Sequence, residues 1–161
     1  MADTINHTDN DTDAAISAAA ALRHVFVYGT LRRGEQRDIN LLLPTPVFRG
    51  QATVSGVLYD LGDYPGMRLG GGQPVQGEVY QIAPELERLL DEIEEVWPQQ
   101  TGEYARREVR VQLGGASAPG AGPGLSCLVY EIAHIRTAGM PVIASGDWLR
   151  RQGDREMKSM L

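Results

Sequence analysis

The 161-residue chain has one cysteine, three histidines and no long apolar run. A single cysteine, Cys127, excludes an internal disulfide and cannot hold a metal cluster by itself. Its position in the apolar stretch LSCLVY favours a small buried core side chain. The histidines, at positions 7, 24 and 134, lack the spacing of zinc ligands, so we expect no metal site. No stretch approaches the ~18 apolar residues that a membrane-spanning helix needs.

Positive charge is also scarce, since 15 Lys and Arg face 21 Asp and Glu for a formal net charge of −6. Nucleic-acid binding requires a clustered basic face, whereas the one dense basic patch, Arg32–Arg33 with Arg37, has acidic neighbours. We therefore expect neither a nucleic acid nor a membrane as partner. A small polar molecule remains possible as a substrate. The acidic, then alanine-rich start is unlike a secretory signal, so we expect a cytoplasmic protein with a disordered tail over residues 1–22.

What the chain does have is a series of short β-rich segments separated by turn residues. Its length suits one compact domain, which we place at residues 23–150, with a C-terminal tail over 151–161. Clusters of glycine and proline predict turns at 62–66, 70–72 and 114–124, the last as a hairpin tip. Apolar and alternating patterns predict strands over 24–28, 51–59, 77–82, 104–113 and 125–132.

One segment has a helical pattern. Pro84–Val96 starts with proline and glutamates suited to a helix N-terminus, and its leucines and isoleucine fall on one face. A second short helix is expected over 38–43. Five or six strands with one clear helix, in mixed order, predict an α+β fold with a small mixed β-barrel and flanking helices.

The acids at the end of this helix are candidates for proton transfer. At about 100° per residue, Glu94 projects roughly 80° from the centre of the apolar stripe, closer than its acidic neighbours in 91–95. A carboxylate at a buried edge is partly desolvated, which raises its pKa toward neutrality. However, Glu87 is also near the edge, and on geometry alone one solvated acidic face is the favoured interpretation.

The segment VYGTLRRG, residues 27–34, is the second candidate. A strand that runs directly into Gly-Thr forms a tight turn whose backbone N–H groups can converge on an anion. The segment lacks the ending of a phosphate P-loop and the glycine pattern of a dinucleotide site. By itself it also fits an ordinary strand–turn.

Six motifs occur in an order that resembles the γ-glutamylcyclotransferase-like (AIG2-like) family over residues 24–148. They are FVYGTLRRG at 26–34, GVLYDLGDYPGM at 56–67, VQGEVYQI at 75–82, LLDEIE at 89–94, YARREVRV at 104–111 and SGDW at 145–148. The resemblance implies a small mixed barrel and an enzyme that needs no metal or organic cofactor.

The resemblance also implies site residues and a reaction. The YGTL loop, which comprises Tyr28, Gly29, Thr30 and Leu31, would bind a γ-glutamyl or 5-oxoproline group largely through its backbone. The last position of the LDxxE segment gives Glu94 the acid/base role. The products would be 5-oxoproline and a free amine or amino acid. Because Arg32 stands where the glutathione-specific branch has an aromatic residue, the γ-glutamylamine branch is favoured.

The chain departs from the family at one position near the site. Relatives have glycine directly after the catalytic glutamate, whereas this chain has Glu95, which can alter the pKa of Glu94 or the pocket entrance. Tyr64, Tyr104 and Arg106 match family positions and are interpreted as packing residues. The alternative to an enzyme is a non-catalytic module that binds a small acidic ligand. The leaving amine and the oligomeric state stay open.

Overall fold

The computed structural model describes residues 22–96, 100–114, 124–153 and 155. The predicted tail over 1–22 and the tip of the 114–124 hairpin lie almost entirely outside these residues. The strands and the helix, labelled in chain order, are β1 (Arg23–Val27), β2 (Val47–Asp60), β3 (Pro65–Leu69), β4 (Gln73–Ile82), α1 (Pro84–Ile93), β5 (Tyr104–Val111) and β6 (Leu125–Ile132). Short 3-10 turns occur at Ile39–Leu41, His134–Thr137 and Trp148–Arg150.

The six strands form one mixed sheet in the order β3-β2-β4-β1-β6-β5. Only the β1–β6 pair is parallel, and the other four pairs are antiparallel. The sheet curls so that its edge strand β3 approaches β6, where the Arg68 guanidinium donates to the Ile132 carbonyl at 2.8 Å. The Leu69 N–H likewise donates to the Glu131 carboxylate at 2.8 Å. This curled half-barrel confirms the predicted α+β class.

Strand β1 lies in the middle of the sheet and separates two apolar cores. Side chains alternate between the faces of a strand, so successive residues of β1 enter different cores. Phe26 and Tyr28 enter the core inside the curl, which also holds Trp148. Val25 and Val27 enter the core on the other face, which α1 covers with its apolar stripe. The strand that leads into the YGTL loop is thus held on both faces.

Strand β3 was not predicted, because Pro65 and Gly66 indicated a turn. The structure places them at the start of an edge strand, where proline does not interrupt a ladder. Gly66 is required by close packing, since a Cβ there would lie 2.7 Å from Cβ of Ile132. The predicted strands at 51–59 and 77–82 both begin earlier, at Val47 and Gln73.

Two arginines attach residues beyond the predicted boundary at 150 to the domain. The Arg155 guanidinium donates to both carboxylate oxygens of Asp60, at 2.7 and 2.9 Å. Arg151 pairs with Glu35 at 3.2 Å and lies over the Trp148 ring. The domain boundaries themselves stay a prediction.

A buried ion pair holds the segment after the YGTL loop against the sheet. Arg32 is only 5% exposed, and its guanidinium donates to Glu78 on β4 at 2.6 Å and to Asp147 at 2.8 Å. The Glu78 carboxylate also accepts from the Arg33 N–H and the Tyr80 hydroxyl, each at 2.9 Å. The loop is therefore fixed to the neighbouring strand by one carboxylate.

Replacement of Arg32 by methionine should leave Glu78 buried without its charge partner and lower the free energy of unfolding by about 3–5 kcal/mol. The same change at Arg23, a half-exposed side chain that pairs with Glu108 at 3.0 Å and with Glu87 at 3.4 Å, should cost at most about 1 kcal/mol. Chemical denaturation of both variants tests this. An additional Glu78→Gln change should recover part of the loss. Equal costs for the two arginine variants would show that the buried pair is not special.

Candidate active site

Three consecutive backbone N–H groups of the YGTL loop are left without an acceptor in the described residues. The carbonyls of Gly29, Thr30 and Leu31 are all used, because they accept the N–H groups of Arg32 (3.0 Å), Arg37 (2.9 Å) and Ile39 (2.9 Å), respectively. The N–H groups of the same three residues donate to no acceptor within the described part of the chain. All three residues line one cavity. The loop therefore has backbone donors that are free to bind a group in the cavity, and its predicted role in substrate binding stays a prediction.

Gly29 is required by the close approach of strand β3. A Cβ at this position would lie 2.5 Å from Cγ of Pro65 and 2.8 Å from its Cδ, well inside van der Waals contact. The absence of a side chain lets the Pro65 ring pack directly on the loop. The turn that starts the site is thus fixed by β3 on one side and by the Arg32 network on the other.

Tyr28 braces the site through its side chain. Its hydroxyl donates to the Tyr130 carbonyl at 2.6 Å and accepts from the Met67 N–H at 3.2 Å. Burial and the nearby Glu94 carboxylate raise the pKa of this phenol, so it stays protonated. Its hydroxyl is occupied by the protein backbone. Tyr28 therefore shapes the cavity wall, and its hydroxyl already has both a donor and an acceptor partner within the protein.

Helix α1 ends directly before Glu94 in a Schellman motif. The Val96 N–H donates to the Asp91 carbonyl at 2.9 Å, and the Glu95 N–H donates to the Glu92 carbonyl at 3.1 Å. This motif places Glu95 in the left-handed region, at φ 57°. The predicted helix to residue 96 is therefore three residues too long, and Glu94 is its C-cap.

The position of Glu94 at a helix C-terminus opposes its ionisation. Burial is the main reason that the pKa of Glu94 rises to about 7; Arg37 acts against this rise, and the Glu103 and Glu95 carboxylates add to it. The negative end of the helix dipole acts in the same direction as the two carboxylates. Glu94 lines the cavity formed by the YGTL loop, so the two predicted elements are brought together.

The fully buried carboxylates among the described residues are all held by hydrogen bonds. Glu94 differs, because only burial and charges act on it and no donor to its side chain is found in the described ranges. The paired acids and their donors are Asp60 with Arg155, Glu78 with Arg32, Asp91 with Arg106 and Tyr130, and Glu131 with Leu69 N–H and Arg107. Glu94 is therefore a half-buried acid on the cavity wall whose carboxylate has no donor among the described residues.

The cavity has a volume of about 600 Å³, enough for a small polar molecule. Among the wall residues that were not assigned to the site from sequence are the polar loop residues Gln36, Arg37, Asp63 and Glu103. They lie in loops far apart in sequence, and only the folded sheet brings them together. Of these four residues, Arg37 was noted in the sequence, but only as part of the basic patch. No group of His, Cys, Asp or Glu in the described residues could hold a metal ion, and no helix there is long and apolar enough to cross a membrane.

The residues interpreted as packing groups do support the cavity. The Tyr104 hydroxyl donates to the Pro65 carbonyl at 2.9 Å. Arg106 pairs with Asp91 at 2.7 Å and fixes α1 to strand β5. Tyr64 lies on the cavity wall, where its hydroxyl donates to Glu103.

Comparison with known proteins identifies the family of the chain. Residues 25–150 match the family described as gamma-glutamyl cyclotransferase, AIG2-like. The gamma-glutamylaminecyclotransferase of Rattus norvegicus is 32% identical over 122 residues, which cover 70% of this chain and 79% of that protein. An AIG2-like protein from Mus musculus matches with a TM-score of 0.58 and 29% identity, over 76% of this chain and 86% of that one. The protein ytfP from Escherichia coli matches with a TM-score of 0.56 and 32% identity, over 80% and 98%.

The curled, mixed six-stranded sheet with few helices is the fold that the chain shares with the AIG2-like structure from Mus musculus. The chain belongs to the gamma-glutamyl cyclotransferase, AIG2-like family. The predicted family, fold class and enzyme class are confirmed. The roles of the individual site residues stay predictions.

Glu94→Gln should raise the free energy of unfolding above pH 7. The folded state binds a proton at Glu94 more tightly than the unfolded state, because the pKa rises from 4.5 to about 7. The wild type therefore loses stability as pH increases through this window, and glutamine removes that loss. We expect a gain of roughly 1–3 kcal/mol at pH 8 that vanishes below about pH 4.5.

Denaturation curves at several pH values measure this difference. Glu92→Gln, which removes one charge from an exposed position of the same helix end, is the matched control. A difference between Glu94→Gln and the wild type that does not vary between pH 4 and 8 would rule out a desolvated carboxylate.

Glu95→Gly should raise the free energy of unfolding by about 0.5–1 kcal/mol, because glycine adopts positive φ without the steric cost of a Cβ. Glu92→Gly, inside the helix, should instead lower it by about 1 kcal/mol. Thermal denaturation compares the two, and Glu95→Gln separates the effect of charge from that of the backbone. A loss of stability in Glu95→Gly would contradict the Schellman interpretation.

Proposed function

We propose that the protein converts a γ-glutamyl amine or γ-glutamyl amino acid into 5-oxoproline and a free amine, with Glu94 as general acid and base. The observation that carries this proposal is a carboxylate with a pKa of about 7 on the wall of a cavity that is also lined by the YGTL loop, whose N–H groups have no acceptor among the described residues. A proton carrier and an anion-binding turn are the two groups that this ring closure needs.

The reaction is an intramolecular aminolysis. The α-nitrogen of the glutamyl group attacks the γ-carbonyl carbon, a five-membered ring closes, and the bond from that carbon to the leaving nitrogen breaks. Since both reacting groups belong to one molecule, the protein mainly has to hold the bent conformer. The α-nitrogen loses two protons between ammonium and ring amide. The leaving nitrogen gains two between amide and ammonium.

Glu94 can carry these protons in turn. As a carboxylate it takes a proton from the α-ammonium, and as the resulting acid it delivers that proton to the departing amine. A pKa of about 7 suits both directions near neutral pH, because neither form is strongly favoured. A fully solvated glutamate, with a pKa of about 4.3, would be almost wholly ionised at that pH and a weaker base, so it would suit neither transfer as well.

The backbone of the loop provides the binding contacts in this proposal. The N–H groups of Gly29, Thr30 and Leu31 hold the substrate α-carboxylate or the developing oxyanion, while Tyr28 forms the wall beneath them. Arg37 adds a positive charge on the loop side of the cavity, where its own N–H is bonded to the Thr30 carbonyl. The substrate is a small molecule. Cofactor independence and a cytoplasmic location stay predictions.

The direct test incubates the wild type and Glu94→Gln with γ-glutamyl amino acids and γ-glutamyl amines, and follows 5-oxoproline by mass spectrometry. We expect turnover by the wild type and a loss of about 10²–10⁴-fold in the variant. In the wild type, kcat/KM should increase with pH to a plateau with a midpoint near 7, because the attacking step needs the carboxylate.

Glu92→Gln is again the control, since it lies on the same helix but not on the cavity wall. Undiminished turnover in a folded Glu94→Gln variant would remove Glu94 from the mechanism. Binding of 5-oxoproline without turnover of any substrate would favour the non-catalytic binding module.

A further inference from the structure

A buried carboxylate lies behind the cavity wall, three residues before Glu94 on α1. Asp91 is only 6% exposed and is not among the residues that line the cavity. Its Oδ2 accepts from the Arg106 guanidinium at 2.7 Å, and its Oδ1 accepts from the Tyr130 hydroxyl at 2.7 Å. Arg106 belongs to β5 and Tyr130 to β6, so one side chain joins the end of the helix to two strands.

Tyr130 connects this carboxylate to the loop on the other side of the site. Its hydroxyl is bonded to Asp91, and its backbone carbonyl accepts from the Tyr28 hydroxyl at 2.6 Å. Tyr28 directly precedes Gly29 of the YGTL loop. Burial and the hydrogen bond to Asp91 raise the pKa of the Tyr130 phenol, which therefore remains a donor. One residue thus links the helix that carries Glu94 to the start of the loop.

The Glu94 carboxylate depends on this link for its position. No donor to its side chain is found in the described ranges, so the backbone that carries it determines where its oxygens lie. The Glu94 N–H donates to the Leu90 carbonyl, and the Asp91 carbonyl accepts from the Val96 N–H, each at 2.9 Å. Asp91 therefore acts twice, because its carbonyl closes the last turn of the helix and its carboxylate ties that turn to the sheet.

On this basis we propose that Asp91 is a positioning residue, which holds Glu94 in place relative to the YGTL loop through Tyr130. This inference rests on the proposed function and adds to it the group that orients the acid/base residue. A misplacement of about 1 Å can cost about 100-fold in rate. The binding contacts belong to the loop, which the Arg32 network holds separately. Loss of the link should therefore lower kcat much more than it raises KM.

Two variants break the link at different atoms. Asp91→Asn leaves one side-chain oxygen, which can accept from only one of the two partners with the geometry that the carboxylate has. Arg106 keeps Glu87 as its partner in this variant, so its charge is not left alone. Tyr130→Phe removes only the hydroxyl and keeps both the Asp91–Arg106 ion pair and the Tyr130 carbonyl. The second variant is therefore informative even where the first does not fold.

Kinetics use the γ-glutamyl substrate that has the highest kcat/KM in the panel above. We expect kcat to fall by about 10–100-fold in each variant, with KM changed by less than about 3-fold. Glu92→Gln removes one charge from an exposed position of the same helix and is the matched control, which should stay within about 2-fold of the wild type. Unchanged kcat in folded Asp91→Asn and Tyr130→Phe would overturn the inference.

Two couplings distinguish positioning from a general loss of structure. The double variant should be at most about 3-fold slower than the slower single variant, because both changes break the same link. In the Glu94→Gln background, neither change should lower the residual rate by more than about 3-fold, since the residue that they position is already absent. A general defect would instead multiply with Glu94→Gln, and that result would also overturn the inference.

Stability measurements separate this inference from the proposed function, because they need no substrate. The gain in free energy of unfolding that Glu94→Gln brings between about pH 4.5 and pH 8 reports the desolvation of the carboxylate. Tyr130→Phe releases the helix end toward water, so this gain should fall to less than about half of its value in the wild-type background. The charges of Arg37, Glu95 and Glu103 are the same in both backgrounds and cancel from the comparison.

The outcomes of the two arms have different meanings. A reduced gain without turnover of any substrate by the wild type would contradict the proposed function and support the positioning role of Asp91. Turnover that survives in both variants, with the gain unchanged, would do the opposite. If no substrate reacts and the gain is unchanged, both proposals are wrong.

Discussion

The geometry of the site depends on one buried carboxylate, that of Glu78. It accepts hydrogen bonds from the Arg32 guanidinium, the Arg33 N–H and the Tyr80 hydroxyl, and thereby joins the segment after the YGTL loop to strand β4. Arg32 extends the link to Asp147, near the last described residues. Any movement of the loop that separates Arg32 from Glu78 would leave a buried charge without its partner, which is costly in free energy. The backbone donors of the site are held in place by an ion pair outside the cavity.

The C-terminal end of helix α1, which borders the cavity, has several features that lower its stability. Its N-terminal turn carries Glu85 and Glu87, which the helix dipole favours, but acids also occupy its C-terminal turn, where the dipole disfavours them. Burial at Glu94 and the left-handed backbone at Glu95 add to the cost. A carboxylate of raised pKa is less stable as an anion than a solvated one. That same instability makes it able to exchange protons near pH 7.

Much of this architecture could be predicted from local patterns. Alternation in β1 and the apolar stripe of α1 are properties of neighbouring residues, so the sequence predicts them well. Helix angles could not decide whether Glu87 or Glu94 has the unpaired carboxylate. The answer depends on Arg23 of β1 and Arg106 of β5, which both pair with Glu87. Strand β3 and the position of Glu103 were missed for the same reason. Both are determined by contacts between segments distant in sequence.

The contact between Gly29 and the Pro65 ring has a consequence for how such a site can change over generations. With Cγ of Pro65 at 2.5 Å from the place of a Cβ, any side chain at position 29 requires a smaller neighbour at position 65. Pro65 in turn supplies the carbonyl that accepts from Tyr104. Positions 29 and 65 must therefore change together, because a larger residue at position 29 alone would clash with Pro65. Substitutions that change substrate preference are therefore easier at the other residues that line the cavity than at the contact between Gly29 and Pro65.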